Sequence, residues 1–367
     1  MNPLICFFES ENYIYSEDYQ LHRCADDIDT TDFLMAMDVQ FPEAMKIVQI
    51  NFDAYHSELF KNHKSIYESS KAVVFILNKY LILSAREIKI KHNRFLNKEK
   101  SFLKSTVFNL QILKADFLNR VELIKKMIAE GRLYQMNLTS VFSAQLEMSA
   151  LQFFLLLSDQ FDGNYKCLLP CKNYSIISFS PELFLEKKNE VLITQPIKGS
   201  ISRDKNAEKD LLKNEKEEAE LSMIVDLLRN DLNSLETDHS AEVTTHRQLM
   251  DLNYIHHTFS EIKIKTKKRL PAILQNTLPG GSISGCPKIE SLIAISELEL
   301  TRRQAYTGVC GWWKKNDFKL NIAIRTFVQS KNDYFYFAGC GIVYDSDPEK
   351  EFQELLNKAG NLNVHFT

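Results

Sequence analysis

Two carboxylates three residues apart, Glu217 and Glu220, are the first residues whose spacing suggests chemistry, and they lie in the stretch NEKEEAELSMIVDLLRNDL. Counted at about 100° per residue, both fall on the same side of a helix as Ile224 and Leu228. Unpaired carboxylates on a core-facing side are costly, so a cation should meet them. A lysine or arginine of a neighbouring element and a divalent metal ion would serve equally well on this stretch alone.

A second pair with the same spacing, Glu351 and Glu354, stands near the end of the chain. Asp347 can cap a helix there and Pro348 suits its first position, so the pair shares one helix face with Lys358. Two helices that each offer a Glu-x-x-Glu pair could hold a hard cation, with one carboxylate from each helix and water in the remaining positions. Because Mg²⁺ is commonly bound in this sparse way beside an anionic substrate, the two pairs together favour a metal.

Glycine is scarce, at 11 residues, yet seven of the glycines fall between Gly280 and Gly341. The segment LPGGSISGCPK, residues 278–288 and including Ser284, could present backbone N–H groups and hydroxyls to an anion. It matches neither the phosphate-loop nor the dinucleotide-binding pattern, so nucleotide binding has little support. In the strand-like LNIAIRTFV, Arg325 lies between glycine-containing turns; a lone strand arginine is usually a surface residue, but this setting favours binding of a carboxylate. These groups suit a small substrate with several negative charges.

Helices and strands must position these residues, and the hydrophobic pattern predicts several of them. Apolar residues from Phe117 to Ile128 repeat with helical spacing and Gly131 can close the helix, which predicts a helix over Asp116–Glu130. The other expected elements are strands near Tyr174–Phe179, near Val191–Ile197 and in EIKIKTKKR, a long helix over about Asn206–Leu232, and a last helix from Pro348. Helices and strands intermixed with hairpin-like turns favour an α+β body.

The polar basic stretch REIKIKHNRFLNKEKS is the best candidate for an internal boundary. It divides the chain into residues 1–105, which we expect to form short strands and turns, and residues 106–367, which contain every candidate for chemistry named above. We see neither an internal repeat nor a low-complexity segment.

Composition excludes several classes of protein. Of 367 residues, 44% are apolar and 25% are charged, which rules out a disordered chain, a collagen or a coiled coil. The net charge of −3 gives no electrostatic reason to expect binding to nucleic acid or a membrane surface. The N-terminus lacks the basic region of a secretory signal, and the seven cysteines fit reduced thiols, since Cys167 and Cys171 have no histidine pair with which to bind zinc. We therefore expect a cytoplasmic protein.

Seven motifs occur in the order found in one family, and the chain resembles it over about residues 116–365. They are SFSPELFL, QPIKGSISR, EKEEAELSMIVDLLRNDL, LPGGSISGCPK, YTGVCGWW, NIAIRTFV and FAGCGIVYDSDPEKEFQELLNKA. The family is that of the chorismate-utilising enzymes, which comprises anthranilate synthase component I, aminodeoxychorismate synthase component I, and the isochorismate and salicylate synthases. The resemblance implies one large α+β body with two stacked antiparallel sheets, surrounded by helices, and a dependence on Mg²⁺.

The resemblance also implies roles for individual residues. Glu220 and Glu354 resemble the direct Mg²⁺ ligands, with Glu217 and Glu351 acting through water, and Glu182, in SPE, resembles the general acid and base at the ring hydroxyl. The residues implied in substrate binding share positions near the carboxylates or the ring of chorismate. They are Arg325, Gly339, Cys340, Gly341, Tyr306, Lys358, His257 and Ser284, the last of which stands where the family usually has threonine.

Two further positions distinguish the branches of this family. Lys198, in QPIKGS, stands where aminodeoxychorismate synthases typically carry a covalent nucleophile and where the other branches generally have alanine. Gln135, in GRLYQMN, stands where isochorismate and salicylate synthases place a lysine that activates water. The resemblance therefore implies amination by ammonia, with the branch of aminodeoxychorismate synthase component I as the first expectation.

The chain shows no nucleophile loop of a glutamine amidotransferase, so we expect a separate glutaminase subunit to deliver ammonia. Two alternatives remain open at this stage. The first is anthranilate synthase component I, in which Lys198 would be a bystander. The second is a catalytically inactive paralogue that serves as a binding subunit, against which the joint retention of Glu182, Lys198, Glu220, Arg325 and Glu354 argues.

Overall fold

The computed structural model describes residues 3–9, 11–92, 106–161, 163–202, 215–235, 238–252, 255–359 and 362–365. The strands in this part of the chain are β1 Leu4–Phe7, β2 Asn12–Arg23, β3 Lys46–Ile50, β4 Ala72–Ser84, β5 Val107–Leu110, β6 Gln135–Gln145, β7 Tyr165–Pro170, β8 Ser175–Ser180, β9 Leu183–Lys188, β10 Val191–Gln195, β11 Ile197–Ser202, β12 Glu242–Leu252, β13 Ile255–Lys265, β14 Gly285–Cys286, β15 Val309–Lys314, β16 Asp317–Ile322, β17 Thr326–Ser330, β18 Asp333–Ile342 and β19 Asn363–His365. The helices are α1 Thr30–Gln40, α2 Ala85–Lys91, α3 Lys114–Ala129, α4 Ala150–Leu157, α5 Glu215–Asn233, α6 Leu270–Thr277, α7 Gly281–Ser284, α8 Lys288–Leu298 and α9 Pro348–Lys358, with a 3₁₀ turn at Ser57–Phe60.

Hydrogen bonds join all the named strands into one continuous sheet. The order of its neighbours is β12–β13–β10–β9–β16–β15–β3–β4–β2–β1–β7–β8–β17–β18–β6–β5–β19, with β11 also paired to β13 and β14 to β6. Among these pairs only β5 and β19 run parallel. Antiparallel strands combined with separate helices confirm the predicted α+β class.

The sheet turns back on itself, so that strands far apart in its order come together. β1 lies against β15 without being paired to it, and the ring of Phe8, just after β1, is 5.3 Å from that of Trp312 on β15. The two expected sheets are thus two halves of one, joined through the long strands β2 and β4.

Helix α3 matches its prediction closely. Phe117, Val121 and Ile124 are fully buried, as their helical spacing requires. The ring of Phe117 lies 5.6 Å from that of Phe352 on α9, in an edge-on arrangement. Packing of α3 against α9 therefore fixes the helix that carries Glu351.

The first hundred residues differ from the expectation of short strands and turns. β2 and β4 have 12 and 13 residues, and α1 is a helix of 11 residues that the sequence analysis missed. The missed signal is Asp29, whose side chain accepts hydrogen bonds from the backbone N–H groups of Thr31 and Asp32, as an N-cap residue does.

The basic stretch expected to mark a boundary begins inside the fold. Its first part forms α2, which Ser84 and Glu87 start with a reciprocal capping box, while residues 93–105 lie outside the described part of the chain. β1 pairs with β7 and β3 pairs with β15, so strands from both sides of the boundary share the sheet. No helix in the described ranges is both long and apolar enough to cross a membrane.

Candidate active site

The glycines near the C-terminus lie on the ladder between β18 and β6. Gly339 pairs with Thr139, and Gly341 pairs with Asn137. A Cβ atom added to Gly341 would lie 2.6 Å from Nε2 of Gln135, so the Gln135 amide packs directly over the Gly341 backbone. The structure thereby brings together Gly341, a predicted substrate-binding residue, and Gln135, the residue that distinguishes branches of the family.

Cys340, between these glycines, faces helix α9. Its Sγ donates to the backbone oxygen of Glu351 at 3.3 Å, and burial raises the pKa of this thiol to about 12. Ligand atoms of Cys340, Glu351 and Glu354 lie within 4.8 Å of one another. The second Glu-x-x-Glu pair therefore lies beside Cys340 on β18, a contact between elements that the spacing of the pair does not predict.

Lys358, on the last turn of α9, connects the helix to the same strand. Its Nζ donates to the carbonyl of Gly339 at 2.7 Å and forms an ion pair with Glu354 at 2.7 Å. The backbone oxygen of Lys358 accepts a hydrogen bond from the hydroxyl of Tyr336 at 2.9 Å. Burial raises the pKa of Tyr336, and the nearby charges of Arg325 and Lys358 oppose this rise, so both predicted carboxylate-binding cations lie near one hydroxyl.

Arg325 itself has a special backbone conformation. Its φ is +48°, and it directly precedes β17, where its carbonyl accepts the N–H of Phe179 at 3.1 Å. Tyr306 is buried and stacks on Phe337 with ring centroids 5.3 Å apart. Because Phe337 lies two residues before Gly339 on β18, Tyr306 lies beside the same strand.

The acidic groups of α9 suit a hard divalent cation. Glu351 is 7% exposed and accepts a hydrogen bond from Ser346 at 2.7 Å, whereas the Glu354 side chain is half exposed. Two carboxylates of which one reaches solvent can share a cation with water molecules, as Mg²⁺ sites commonly do. Helix α5, Glu215–Asn233, covers the second part of the helix predicted over about Asn206–Leu232, whose first part, residues 206–214, lies outside the described part of the chain. The side chains of Glu217 and Glu220 also lie outside what the structure describes.

Glu182 lies at a second position, between β8 and β9. It is 8% exposed, and Oγ of Ser282 donates to its Oε1 at 3.4 Å. Ser282 belongs to the glycine-rich segment, residues 278–288, so this segment reaches the predicted general acid. Ser282 was not among the site residues predicted from the sequence.

The glycine-rich segment is more regular than the loop that the sequence suggested. Residues 281–284 form the short helix α7, and Oγ of Ser284 donates to the carbonyl of Gly280 at 2.9 Å within that turn. The substrate-binding role of Ser284 stays a prediction. Cys286 pairs with Gln135 through β14 and β6, so the segment touches both Glu182 and the strand that carries Gln135.

Arg303 is a structural residue of the site that the sequence analysis missed. Its guanidinium is buried and binds both carboxylate oxygens of Glu299, at 2.7 and 2.9 Å. It also donates to the carbonyls of Ile283, on α7, and Asn137, on β6, at 2.8 and 2.6 Å. A bidentate arginine pair of this kind is strongly directional, so Arg303 fixes α7 relative to β6.

Lys198 and His257 lie on neighbouring antiparallel strands. Lys198 pairs with Thr258, and Ser200 pairs with His257, in the ladder of β11 and β13. The side chains of Lys198 and His257 lie outside the described part of the structure, so their predicted roles stay predictions.

Comparison with known proteins places this geometry in a family. Residues 24–363 match the chorismate binding enzyme family, and the chain therefore belongs to that family. It is 37% identical over 252 residues to aminodeoxychorismate synthase component 1 of Bacillus subtilis, an alignment that covers 66% of this chain and 54% of that protein. It is 34% identical over 260 residues to an anthranilate synthase component 1 of Haloarcula marismortui, covering 68% of this chain and 53% of that protein. The chain thus spans about half the length of these curated relatives.

Solved structures confirm the fold. Anthranilate synthase component I from Streptococcus pneumoniae superposes with a TM-score of 0.79 at 27% sequence identity, covering 98% of this chain and 90% of that one. The menaquinone-specific isochorismate synthase from Escherichia coli superposes with a TM-score of 0.72 at 18% identity, covering 98% and 87% of the two chains. The predicted resemblance to the chorismate-utilising family and its α+β fold are confirmed, while the similar relatives belong to more than one branch.

Proposed function

We propose that this chain is an aminodeoxychorismate synthase component I, which converts chorismate and ammonia to 4-amino-4-deoxychorismate through an intermediate linked to Lys198. The product is a precursor of p-aminobenzoate and folate. The observation that carries the proposal is the lysine at position 198 within the family segment QPIKGS. The 37% identity to aminodeoxychorismate synthase component 1 of Bacillus subtilis supports the same branch.

The residue at position 135 supports ammonia as the nucleophile. Gln135 is 5% exposed and its amide lies over Gly341. A glutamine amide is not a base at neutral pH, so it cannot activate a water molecule by removing its proton. Amination is therefore favoured over hydration at this site.

The proposed substrate site consists of residues that bind chorismate and residues that hold Mg²⁺. Arg325 and Lys358 bind the carboxylates of chorismate together with the backbone around Gly339 and Gly341, over which the Gln135 amide packs. Mg²⁺, held by Glu220 and Glu354 with Glu217 and Glu351 behind water molecules, would supply positive charge at the ring carboxylate. Tyr306, His257 and Ser284 complete the proposed wall of the pocket around the ring.

The proposed reaction is a double displacement. The neutral amine of Lys198 forms a bond to C2 of the ring while the C4–O bond breaks, and the hydroxyl leaves as water with a proton from Glu182. Ammonia then forms a bond to C4 while the bond between C2 and the lysine nitrogen breaks. The new ammonium group returns one proton to the Glu182 carboxylate, so that both residues are regenerated.

Lys198→Ala and Glu182→Gln test this route. Wild-type protein incubated with chorismate and Mg²⁺ without ammonia should carry a chorismate-derived adduct on the peptide that contains Lys198, detected by mass spectrometry. We expect Lys198→Ala to lose the adduct and at least a hundredfold in amination rate, and Glu182→Gln to form the adduct slowly. Full amination by Lys198→Ala would exclude the lysine-linked route.

Anthranilate synthase component I is the second candidate. The observations in its favour are the 34% identity to the Haloarcula marismortui protein and the superposition on the Streptococcus pneumoniae structure. Chorismate, Mg²⁺ and ammonium give a fluorescent product that has lost pyruvate if the chain makes anthranilate, and a product that retains the enolpyruvyl group if it makes aminodeoxychorismate. Absence of chorismate consumption, alone or with a glutaminase, would instead favour an inactive binding paralogue.

A separate glutaminase subunit is the proposed source of ammonia. The name component 1 of the two relatives supports a second component. We expect ammonium salts to support turnover by this chain alone, and glutamine to do so only after a glutaminase is added. All seven cysteines are unpaired, which supports a reducing compartment such as the cytoplasm.

A further inference from the structure

Helix α5 and the glycine-rich segment meet at two points that lie one helical turn apart. A Cβ atom added to Gly281 would lie 2.1 Å from Cδ2 of Leu227, so this leucine occupies the space that the glycine leaves open. Four residues further on, Oδ1 of Asp231 lies 2.7 Å from Nζ of Lys288. Residues four apart share a helix face, so one face of α5 carries both contacts.

The ion pair between Asp231 and Lys288 is enclosed. The two side chains are 13% and 16% exposed, and Lys288 also donates to the carbonyl of Thr277 at 3.4 Å. Burial raises the pKa of Asp231 even though Lys288 opposes the rise. Buried pairs of this kind add little net stability, because desolvation offsets their attraction, and their best-attested use is to fix one geometry.

The same face of α5 carries the position of a predicted metal ligand. Position 220 precedes Leu227 by seven residues and Asp231 by eleven, which at about 100° per residue places it within about 20° of both. A rotation of α5 by about 10° would move a group roughly 6 Å from the helix axis by about 1 Å. Metal sites tolerate deviations of only about 0.2 Å in their ligand distances, so the rotation of α5 must be fixed from outside the helix.

The glycine-rich segment can serve as that fixed reference. Arg303 ties Ile283 of the segment to β6, and Ser282 binds Glu182. Contacts from α5 to this segment therefore fix the position of the helix relative to Glu182, the proposed general acid, and to strand β6.

We propose that Asp231 and Lys288 are positioning residues, whose ion pair, together with Leu227 on Gly281, fixes the rotation of α5 and thereby the divalent-metal affinity of the active site. The inference rests on the proposed function, in which Glu220 binds Mg²⁺. It adds two residues that touch neither metal nor substrate but determine how tightly the metal binds.

Lys288→Met tests the proposal, because it removes the charge and keeps the length of the side chain. The matched control is Arg229→Met, on the same helix but in an exposed ion pair with Asp226. Mn²⁺ alone is titrated into each purified full-length protein, and free Mn²⁺ is measured by electron paramagnetic resonance, with the melting temperature recorded alongside. We expect Lys288→Met to weaken Mn²⁺ binding at least fivefold and Arg229→Met to change it less than twofold.

Conservative and paired variants separate positioning from general destabilisation. Lys288→Arg should restore binding to within about twofold of wild type, and Asp231→Asn combined with Lys288→Met should bind no worse than Lys288→Met alone. Should Lys288→Met not fold, Asp231→Asn, which keeps the shape of the side chain, carries the test with the same expected weakening. A variant that melts earlier yet binds Mn²⁺ like wild type would overturn the proposal.

Measurements on the wild-type protein distinguish failure of the positioning role from failure of the proposed function. Wild type that neither binds Mn²⁺ nor consumes chorismate would remove the proposed function itself. Wild type that binds Mn²⁺, with Lys288→Met and Asp231→Asn binding it equally well, would remove only the positioning role.

Discussion

Adding a single methyl group at Gly341 is enough to probe strand β18. In Gly341→Ala the new Cβ would lie 2.6 Å from Nε2 of Gln135, so the amide must move, and as the end of a flexible side chain it can do so without unfolding the protein. We expect kcat/KM for chorismate to fall at least tenfold with a small change in melting temperature. Steady-state kinetics and thermal melting measure the two effects.

The control for this substitution is Gly131→Ala. Gly131 closes α3 with φ of +76°, and a Cβ atom added to it would have no neighbouring atom within 4 Å, so alanine adds backbone strain without touching the site. It should cost about 1 kcal/mol of stability and leave kcat/KM unchanged. Equal kinetics for the alanine variants at positions 341 and 131 would contradict the proposed role of Gly341 in substrate binding.

Asp231 gives a prediction for the dependence of stability on pH. Burial raises the pKa of this carboxyl above its ordinary value of about 3.9. A carboxyl that holds its proton more tightly in the folded state loses folding free energy as pH rises through that range. Asp231→Asn cannot ionise, so its stability relative to wild type should improve from about pH 4 upward, as measured by urea unfolding at several pH values. A stability difference that is constant with pH would contradict this.

At the scale of elements, the buried pair of Arg303 and Glu299 holds several of them together. Arg303→Met leaves the Glu299 carboxylate buried, which should cost about 3–5 kcal/mol of unfolding free energy. Arg303→Lys should not restore it, because one ammonium cannot reproduce the fork that contacts both oxygens of Glu299 and the carbonyls of Asn137 and Ile283. Urea unfolding followed by circular dichroism measures the loss.

A surface pair on α3 serves as the comparison. Lys126 and Glu130 lie 3.9 Å apart with exposed side chains, and exposed pairs contribute about 0–1 kcal/mol. Lys126→Met should therefore change the unfolding free energy by less than about 1 kcal/mol. If Arg303→Met lowered the unfolding free energy as little as Lys126→Met, the buried network of Arg303 would not be holding the elements together.

Helices were predictable because their signal is local. Phe117, Val121 and Ile124 repeat along one face of α3, and the repeat alone indicates which side is buried. The pairing of β1 with β7 or β3 with β15 has no such signal, since alternation marks a strand but not its partner. Helix α1 was missed although its cap, Asp29, is visible in the sequence.

In the candidate site, too, contacts within one element were predictable from the sequence, whereas contacts between elements were not. The spacing of Glu351 and Glu354 predicted that they share a face, and the structure brings them to Cys340. Contacts that join separate elements, such as Ser282 with Glu182 or Asp231 with Lys288, depend on how those elements pack, which no pattern within one segment encodes.

At the scale of the whole molecule, the sheet predicts that residues 106–367 do not fold alone. Removing residues 1–105 would take β1 from β7 and β3 from β15, exposing unpaired strand edges that favour aggregation. We expect the fragment to lack a cooperative thermal transition and to bind a hydrophobic dye. The full chain, measured in parallel, is the control; a sharp transition in the fragment would show that the boundary separates independent domains.

The pairing of β3 with β15 also implies a delay during synthesis of the chain. β3 ends at Ile50 and β15 begins at Val309, so during synthesis the ribosome must add about 260 residues before β3 can pair with β15, its partner on one edge. At roughly 5–20 residues per second, this takes about 13–50 s. For that interval one edge of β3 has no partner, although β4 can already pair with the other edge. We therefore expect the nascent chain to bind chaperones that recognise extended hydrophobic segments.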